Sequence, residues 1–353
     1  MGVTTGLSKP VTIREVAALA GVSTATVSRA LRGSAGVEPA TRARVQAAAR
    51  ELRYRPSGVA RSLKLRLTRT LGLIVTDIEN PYFPQIIRAV EDAARARGYS
   101  VVLADGRRDP GREIQSLELL AEREVDGLLI ASSALTERHR SWIDERPCPV
   151  VVMNSTSTAA DVPSVASDNR EGGRLACEHL LALGHRQLAF LATPASANLA
   201  VDERLEGVRA AVAAAGLGAD YLLVVDGEGG VEGGERAARE VLAARPETTA
   251  LICYNDLTAV GALRGARALG RHVPADLSLI GFDDIELAPY VDPPLTTVRQ
   301  DTDAMGEWAV TTLLGLIADA GSASGSGAVE TSTERIPVAI VERGSTATAA
   351  VVV

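Results

Sequence analysis

Two short capped helices around a glycine, close to the N-terminus, constrain the fold of this chain more than any other feature. Residues 12–20 read Thr-Ile-Arg-Glu-Val-Ala-Ala-Leu-Ala. Thr12 is a good N-cap, and Glu15 three residues on completes a capping box that satisfies two orphaned backbone N–H groups. Ile13, Val16, Ala17 and Ala20 recur at helical spacing and make one apolar face. Gly21 stops the helix, since the left-handed position after a helix favours a residue without Cβ. Ser23 then caps a second helix from Thr24 to about Leu31, with Val27, Ala30 and Leu31 turned inward. Pro39 opens a third helix, running to about Leu52, whose Val45, Ala48, Ala49 and Leu52 close a three-helix core. Two short helices about a glycine turn make a helix-turn-helix.

Charge gives the second constraint. Residues 1–66 hold twelve Lys or Arg against three Asp or Glu, a balance of +9, whereas the remainder carries 25 against 41, or −16. A basic head on an acidic body points to a polyanion at one end only. The outer face of the second helix carries Thr24, Ala25, Thr26, Ser28 and Arg29. Small residues allow close approach to a major groove, hydroxyls reach phosphate, and arginine pairs with guanine. The alternative is a helical hairpin for protein contact.

With 353 residues the chain is long for one domain, and two or three are expected. Aromatic residues reach only 3% of the chain, so the cores must be aliphatic. No apolar run approaches the ~18 residues of a membrane helix, and none follows a basic start, so a cytoplasmic protein is expected. Cys148, Cys177 and Cys253 are scattered without a CxxC pair and read as thiols in a reducing compartment.

From Leu71 onward, short apolar runs alternate with helical patterns. The runs include Leu71–Thr76, Gly127–Ala131, Val150–Met153, Leu188–Ala192, Ala250–Tyr254 and Leu277–Gly281. Such alternation means parallel α/β sheets, and the strands are too many for one sheet, so two lobes follow. Ligands of open α/β sheets bind at the carboxyl ends of strands. Polar residues expected there are Asp77, Asn154, Thr193, Asn255 and Asp283, with Phe83 opening one helix and Arg204 in an Arg-x-x-Gly pattern.

Val11-Thr12-Ile13-Arg14-Glu15-Val16-Ala17, and Gly21-Val22-Ser23-Thr24-Ala25-Thr26-Val27-Ser28-Arg29-Ala30-Leu31 after it, resemble the head of the LacI/GalR regulators. The likeness continues through Thr41-Arg42, Val45, Leu52, Tyr54 and Pro56 and spans about residues 10–346. It implies an all-α three-helix head plus a hinge helix, then an α/β two-lobed periplasmic-binding-protein-like core with parallel sheets. The expected organisation is a DNA-binding domain over 10–56, a hinge helix or linker over 57–66, a core over 67–346 and a tail over 347–353. Lobe 1 would hold about 67–168 and 300–328, and lobe 2 about 169–298 and 330–346, with Arg335–Val341 in lobe 2 and a crossing near 326–332.

Thr12, Ser23 and Tyr54 complete the DNA-facing set within the segment that carries the likeness. By composition alone 57–64 is a short polar linker; the likeness makes it a hinge that orders on DNA, with Leu63 a minor-groove wedge and Val59 and Ala60 beside it. Matches to Arg204, Asn255 and Asp283 contact effector in the family, and the match to Phe83 can stack on it. Two other readings stand beside these: Arg204 and Asp283 as an interior pair, and Phe83 as core. Asp168, Asp256 and Asp284 read as helix caps or interlobe contacts. The glycine-rich stretch 226–234 lacks the aromatic that many relatives carry near Gly230, and Asn154 stands where some have an acid.

The expectation is a homodimeric, sequence-specific DNA-binding regulator, of repressor type, on a near-palindromic operator of double-stranded DNA. Its effector would be a small molecule of carbohydrate class, a sugar or related polyol, with nucleosides and phosphorylated sugars standing as alternatives. Competing readings are an effector-free DNA-binding regulator and a solute-binding protein. No enzyme, cofactor, metal or membrane role is expected: the four histidines lack HExxH spacing, and neither GxSxG nor a phosphate loop occurs.

Overall fold

A computed structural model describes residues 11–54, 67–132, 135–145, 148–155, 162–193, 199–320 and 333–349. It divides into two compact units, Met1–Thr68 and Arg69–Val353. The expected hinge over 57–66, with Val59, Ala60 and Leu63, lies outside the described residues.

Among its described residues the first unit holds three helices: α1 (Ile13–Ala20), α2 (Thr24–Leu31) and α3 (Pro39–Glu51). The capping box forms as its residues dictate, with Thr12 N–H and Oγ1 donating to Glu15 Oε2 at 2.6 and 2.8 Å. Gly21 takes φ 63°, and Val22 N–H returns to the Ala17 carbonyl at 3.0 Å to close α1. Val16, Val27 and Val45, one from each helix, meet with no solvent exposure among Ala17, Ala20, Ala30, Ala48 and Ala49. Arg42 of α3 donates to the Ser34 and Ala30 carbonyls at 2.8 and 3.4 Å, tying α3 to the end of α2.

The second unit holds two six-stranded sheets. The first is built from β1 (Thr70–Val75), β2 (Ser100–Asp105), β3 (Gly127–Ala131), β4 (Val150–Met153), β5 (Ser164–Ser167) and β11 (Thr333–Ile336), in the order β11-β5-β4-β3-β1-β2, all parallel. The second comprises β6 (Leu188–Ala192), β7 (Leu222–Asp226), β8 (Ala250–Cys253), β9 (Ser278–Asp283), β10 (Thr296–Gln300) and β12 (Val338–Val341), in the order β12-β10-β9-β8-β6-β7. Among the described residues its strands run parallel except for β10 with β12, which pair antiparallel. The first sheet carries α4 (Tyr82–Ala96), α5 (Pro110–Glu122), α6 (Glu137–Asp144) and α11 (Thr302–Ala320). The second carries α7 (Asn169–Ala182), α8 (Leu199–Ala214), α9 (Val231–Ala244) and α10 (Asp256–Ala268). Central strands such as β3, β4 and β8 are buried on both faces, which their unbroken aliphatic runs require.

The structure corrects the expectation for the C-terminal strand. Arg335–Val341 does not lie wholly in lobe 2. Pro337 divides it: β11 pairs with β5 in the first sheet and β12 with β10 in the second. Proline has no N–H to continue a ladder, so the run breaks there and the third crossing falls at 337, not at 326–332. The second lobe also extends past 346 into the expected tail: Ala347 N–H donates to Ser278 Oγ at 3.0 Å and Ala349 N–H to the Leu183 carbonyl at 2.8 Å.

Two helix pairs in lobe 2 approach through reciprocal glycines. A Cβ on Gly173 of α7 would stand 2.0 Å from the Arg204 carbonyl oxygen, and one on Gly207 of α8 1.9 Å from that of Arg170. Gly234 of α9 and Gly261 of α10 repeat the arrangement, at 2.2 Å from the Thr258 oxygen and 1.9 Å from the Val231 oxygen. These contacts fix where α8 and α10 deliver their first-turn side chains. Among the described residues no helix is long and apolar enough to cross a membrane.

Candidate functional site

On the first unit, Thr24, Ala25 and Arg29 of α2 are exposed, while Thr26 and Ser28 are half-buried. Among the described residues Arg29 makes no ion pair or side-chain hydrogen bond. Ser23 is exposed but its hydroxyl caps the helix, accepting from Thr26 N–H at 3.1 Å and lying 2.9 Å from Thr26 Oγ1. Thr12 is likewise exposed and engaged with Glu15. Tyr54 is half-buried against the three-helix core.

On the second unit, a cavity of about 300 Å³ opens between the lobes at the carboxyl ends of the strands. Asp77, Phe83, Asn154, Thr193, Arg204, Asn255 and Asp283 all line it. Their side chains are in different states of commitment. Asp77 Oδ2 pairs with Arg108 Nε at 2.7 Å. Asn154, just past β4, takes φ 60° and accepts from the Tyr82 hydroxyl at 2.9 Å. Asn255 caps α10, its Oδ1 accepting from Thr258 N–H at 2.8 Å, and its Nδ2 donates to the Gly229 carbonyl at 3.0 Å. One N–H and one lone pair of that amide stay available. Phe83 is 3% exposed and meets Tyr82 edge-on, with centroids 5.4 Å apart, so it is a core residue and a cavity wall at once.

Arg204 and Asp283 do not form the interior ion pair that the sequence left open. Arg204 Nε donates to Asn169 Oδ1 at 2.9 Å and Nη1 to the Tyr254 carbonyl at 2.5 Å, and its guanidinium lies 3.5 Å over the Phe282 ring. Asn169 in turn donates to Glu203, which takes a forked pair from Arg335 of β11 at 2.6 and 2.8 Å. Asp283 accepts from Gln300 Nε2 at 2.7 Å. Burial holds the Asp283 carboxyl well above the usual carboxylate range; nearby Arg204 opposes this. Its φ of 129° is a conformation that L side chains rarely adopt, a strain of ~1–3 kcal/mol that clusters at functional sites. Tyr82, also buried beside Asp283, has its phenol pushed well above 10.

The three further aspartates stay out of the cavity wall. Asp168 caps α7, accepting from Glu171 N–H at 3.0 Å. Asp284 pairs with Arg343 at 2.6 Å. Asp256, wholly buried, accepts from Thr297 Oγ1 at 2.5 Å and Ile285 N–H at 2.9 Å.

Comparison with known proteins adds a second line. Residues 68–336 match the model of periplasmic binding proteins and the sugar-binding domain of the LacI family, and residues 12–57 match that of bacterial regulatory proteins of the lacI family. The chain belongs to the LacI family. Within it, the chain is 38% identical over 304 residues to the ribose operon repressor of Escherichia coli (strain K12), covering 86% of this chain and 92% of the other. It is 37% identical over 305 residues to the transcriptional repressor PurR of Klebsiella pneumoniae (strain 342), covering 86% and 89%. A solved lac repressor dimer, bound to operator and an anti-inducer, superposes with a TM-score of 0.84 at 30% identity, covering 96% of this chain and 100% of that one.

The sequence reading of this LacI-family cleft missed several lining residues, among them Gln300, Glu113, Tyr254 and Glu228. Gln300 ends β10, and the carboxyl-end rule would have found it had 296–300 been read as a strand. Glu113 carries no such signal: it lies eight residues after β2, in the first turn of α5, and only packing brings it to the cavity.

Proposed function

We propose that this chain is a homodimeric, sequence-specific DNA-binding transcription regulator of repressor type, whose operator affinity is set by a sugar or related polyol held in the interlobe cavity. The observation that carries this is the conjunction, in one chain, of an exposed α2 face bearing Arg29 and an interlobe cavity lined by polar strand-end residues. Thr24, Ala25, Thr26, Ser28 and Arg29 read the major groove, with Thr12, Ser23 and Tyr54 positioning the head. Val59, Ala60 and Leu63, outside the described residues, act in the minor groove. Asp77, Phe83, Asn154, Thr193, Arg204, Asn255 and Asp283 hold the effector.

A dimer matches the edge of the first sheet. β2 has a neighbour on one side only, and Val102 and Leu103 on it and Leu119 on α5 are exposed at 39%, 43% and 50%. An apolar edge of this kind needs covering. Two-fold symmetry then calls for a near-palindromic operator. The effector works through its different affinities for the two lobe arrangements. The role is regulatory rather than catalytic, and the compartment is the cytoplasm.

The test is selection of bound duplexes from a random library by the full-length chain, followed by titration of the selected site with sugars. A two-fold symmetric site whose affinity shifts with one sugar is the expected result. Binding without sequence preference overturns the regulator reading, and a site indifferent to every sugar overturns the effector.

A further inference from the structure

Glu113 is 3% exposed, in the first turn of α5, and lines the cavity from the first lobe. One carboxylate oxygen is held in place. Ser132, just past β3, donates to Oε2 at 2.8 Å. His139, with no solvent exposure, sets Nε2 2.9 Å from the same oxygen, outside hydrogen-bond alignment. The histidine is itself oriented by Thr136, whose N–H donates to its Nδ1 at 3.2 Å. The other oxygen, Oε1, makes no hydrogen bond among the described residues. Gly106 keeps room for it: a Cβ there would lie 2.5 Å from Glu113 Cγ and 2.8 Å from Oε1. A carboxylate buried this far, with one oxygen fixed and the other open to a cavity, calls for a hydrogen donor that the described residues do not supply.

The charges around it restrict that donor. Among the described residues the cavity wall carries four acids, Asp77, Glu113, Glu228 and Asp283, against two bases, Arg108 and Arg204. Arg108 spends its Nε on Asp77 and Arg204 its Nε and Nη1 on neutral partners, while Glu113 and Asp283 offer acceptors from opposite lobes.

We propose that Glu113 is a specificity-determining ligand residue: its Oε1 accepts a hydroxyl hydrogen from an uncharged polyhydroxyl ligand across the cavity from Asp283, and its charge turns phosphorylated and carboxylated analogues away. His139 and Ser132 are its positioning residues. This rests on the effector reading above and narrows it to neutral ligands.

The test is calorimetric titration of the full-length chain with D-ribose, D-glucose and cellobiose, and with ribose 5-phosphate, glucose 6-phosphate and gluconate. Wild type, E113Q and D283N are compared, each first checked by circular dichroism melting. The expected result is binding of at least one neutral sugar, none of its anionic counterpart, and a loss of about tenfold or more in E113Q, the scale of one hydrogen bond to a charged group. If E113Q does not fold, G106A, which displaces the carboxylate without altering charge, gives the same loss. A sugar held equally by wild type, E113Q and G106A but lost by D283N overturns the Glu113 assignment and leaves the effector reading standing. Preference for a phosphorylated sugar overturns the charge argument. Silence of all six probes removes both this inference and the sugar effector.

Discussion

The reciprocal glycines of α7 and α8 make one perturbation calculable. In G207A the new Cβ would stand 1.9 Å from the Arg170 carbonyl oxygen and 2.7 Å from Arg174 N. Both neighbours are helix backbone, so neither can rotate away. Ordinary contact begins near 3.4 Å, so the helices must part by about 1.5 Å at this point. Alanine in place of a helical glycine gains about 1 kcal/mol of propensity. Overpacking costs roughly 1–3 kcal/mol, and separating two buried helices adds voids around Val208 and Ala176, so the net is a loss of about 1–3 kcal/mol. For a unit of this size that lowers Tm by roughly 3–10 °C. Arg204 lies one turn away on the same helix face, so sugar affinity falls with it. The internal control is G315A, on exposed α11 surface where a Cβ meets nothing within 4 Å; it raises stability by about 1 kcal/mol. Thermal and urea melts of the two variants settle the matter. If G207A proves as stable as wild type, or moves in the same direction as G315A, the close-approach argument is wrong.

Three further outcomes follow from single sites. Burial pushes the Asp256 carboxyl from 3.8 up to about 6, so its folded form prefers the proton; the resulting stability, roughly 3 kcal/mol, is full below pH 3.8 and lost as pH rises through about 6. D256N, measured by melts from pH 4 to 7.5, should therefore show a smaller loss of Tm with rising pH than wild type, and an unchanged slope refutes the assignment. T12A removes one half of the capping box and should destabilise the head by about 1 kcal/mol, read as amide exchange in α1; full protection would contradict it. R29A should cost about 1–3 kcal/mol in operator binding and relax one base position, as an arginine–guanine contact would; an equal loss on every sequence makes Arg29 a phosphate contact instead.

How far the sequence could be read depended on how local each signal was. Thr12, Glu15, Gly21 and Ser23 each act within four residues, so the head was legible to its caps. The strand-end rule reached the cavity because parallel order puts every carboxyl end on one side of a sheet. What failed was long-range. Whether 335–341 belongs to one sheet or two depends on β5 and β10, both distant in the chain, and only Pro337 hinted at a break. Helix α6 went unread because ERHRSWID is short and strongly polar, with Trp142 and Ile143 its apolar residues; Ile143 and His139 are the buried residues that hold it. The choice between ligand contact and interior pair for Arg204 and Asp283 was posed in the wrong terms. Each is satisfied by an amide, Asn169 or Gln300, that no spacing rule points to.

Those amides explain how a cavity can govern lobe geometry. Tyr82 of the first lobe has its hydroxyl 2.9 Å from Asn154 Oδ1 and 3.3 Å from Gln300 Oε1, and Gln300 donates onward to Asp283 of the second. A second path runs from Arg335 of β11 through Glu203 and Asn169 to Arg204. Both paths begin in one lobe and end on a cavity-lining charge in the other. A phenol has one proton, so Tyr82 cannot serve Asn154 and Gln300 fully at once. A hydroxyl arriving at Asp283 competes with Gln300 for the carboxylate, and Gln300 released from it changes which acceptor Tyr82 prefers. Differential contact in two arrangements is what a ligand needs to shift an equilibrium between them. On this reasoning Y82F uncouples before it unbinds: sugar affinity falls little, while the change in operator affinity that the sugar produces is largely lost. Equal losses in both would show that Tyr82 is a simple contact and that the coupling runs through Arg335 alone.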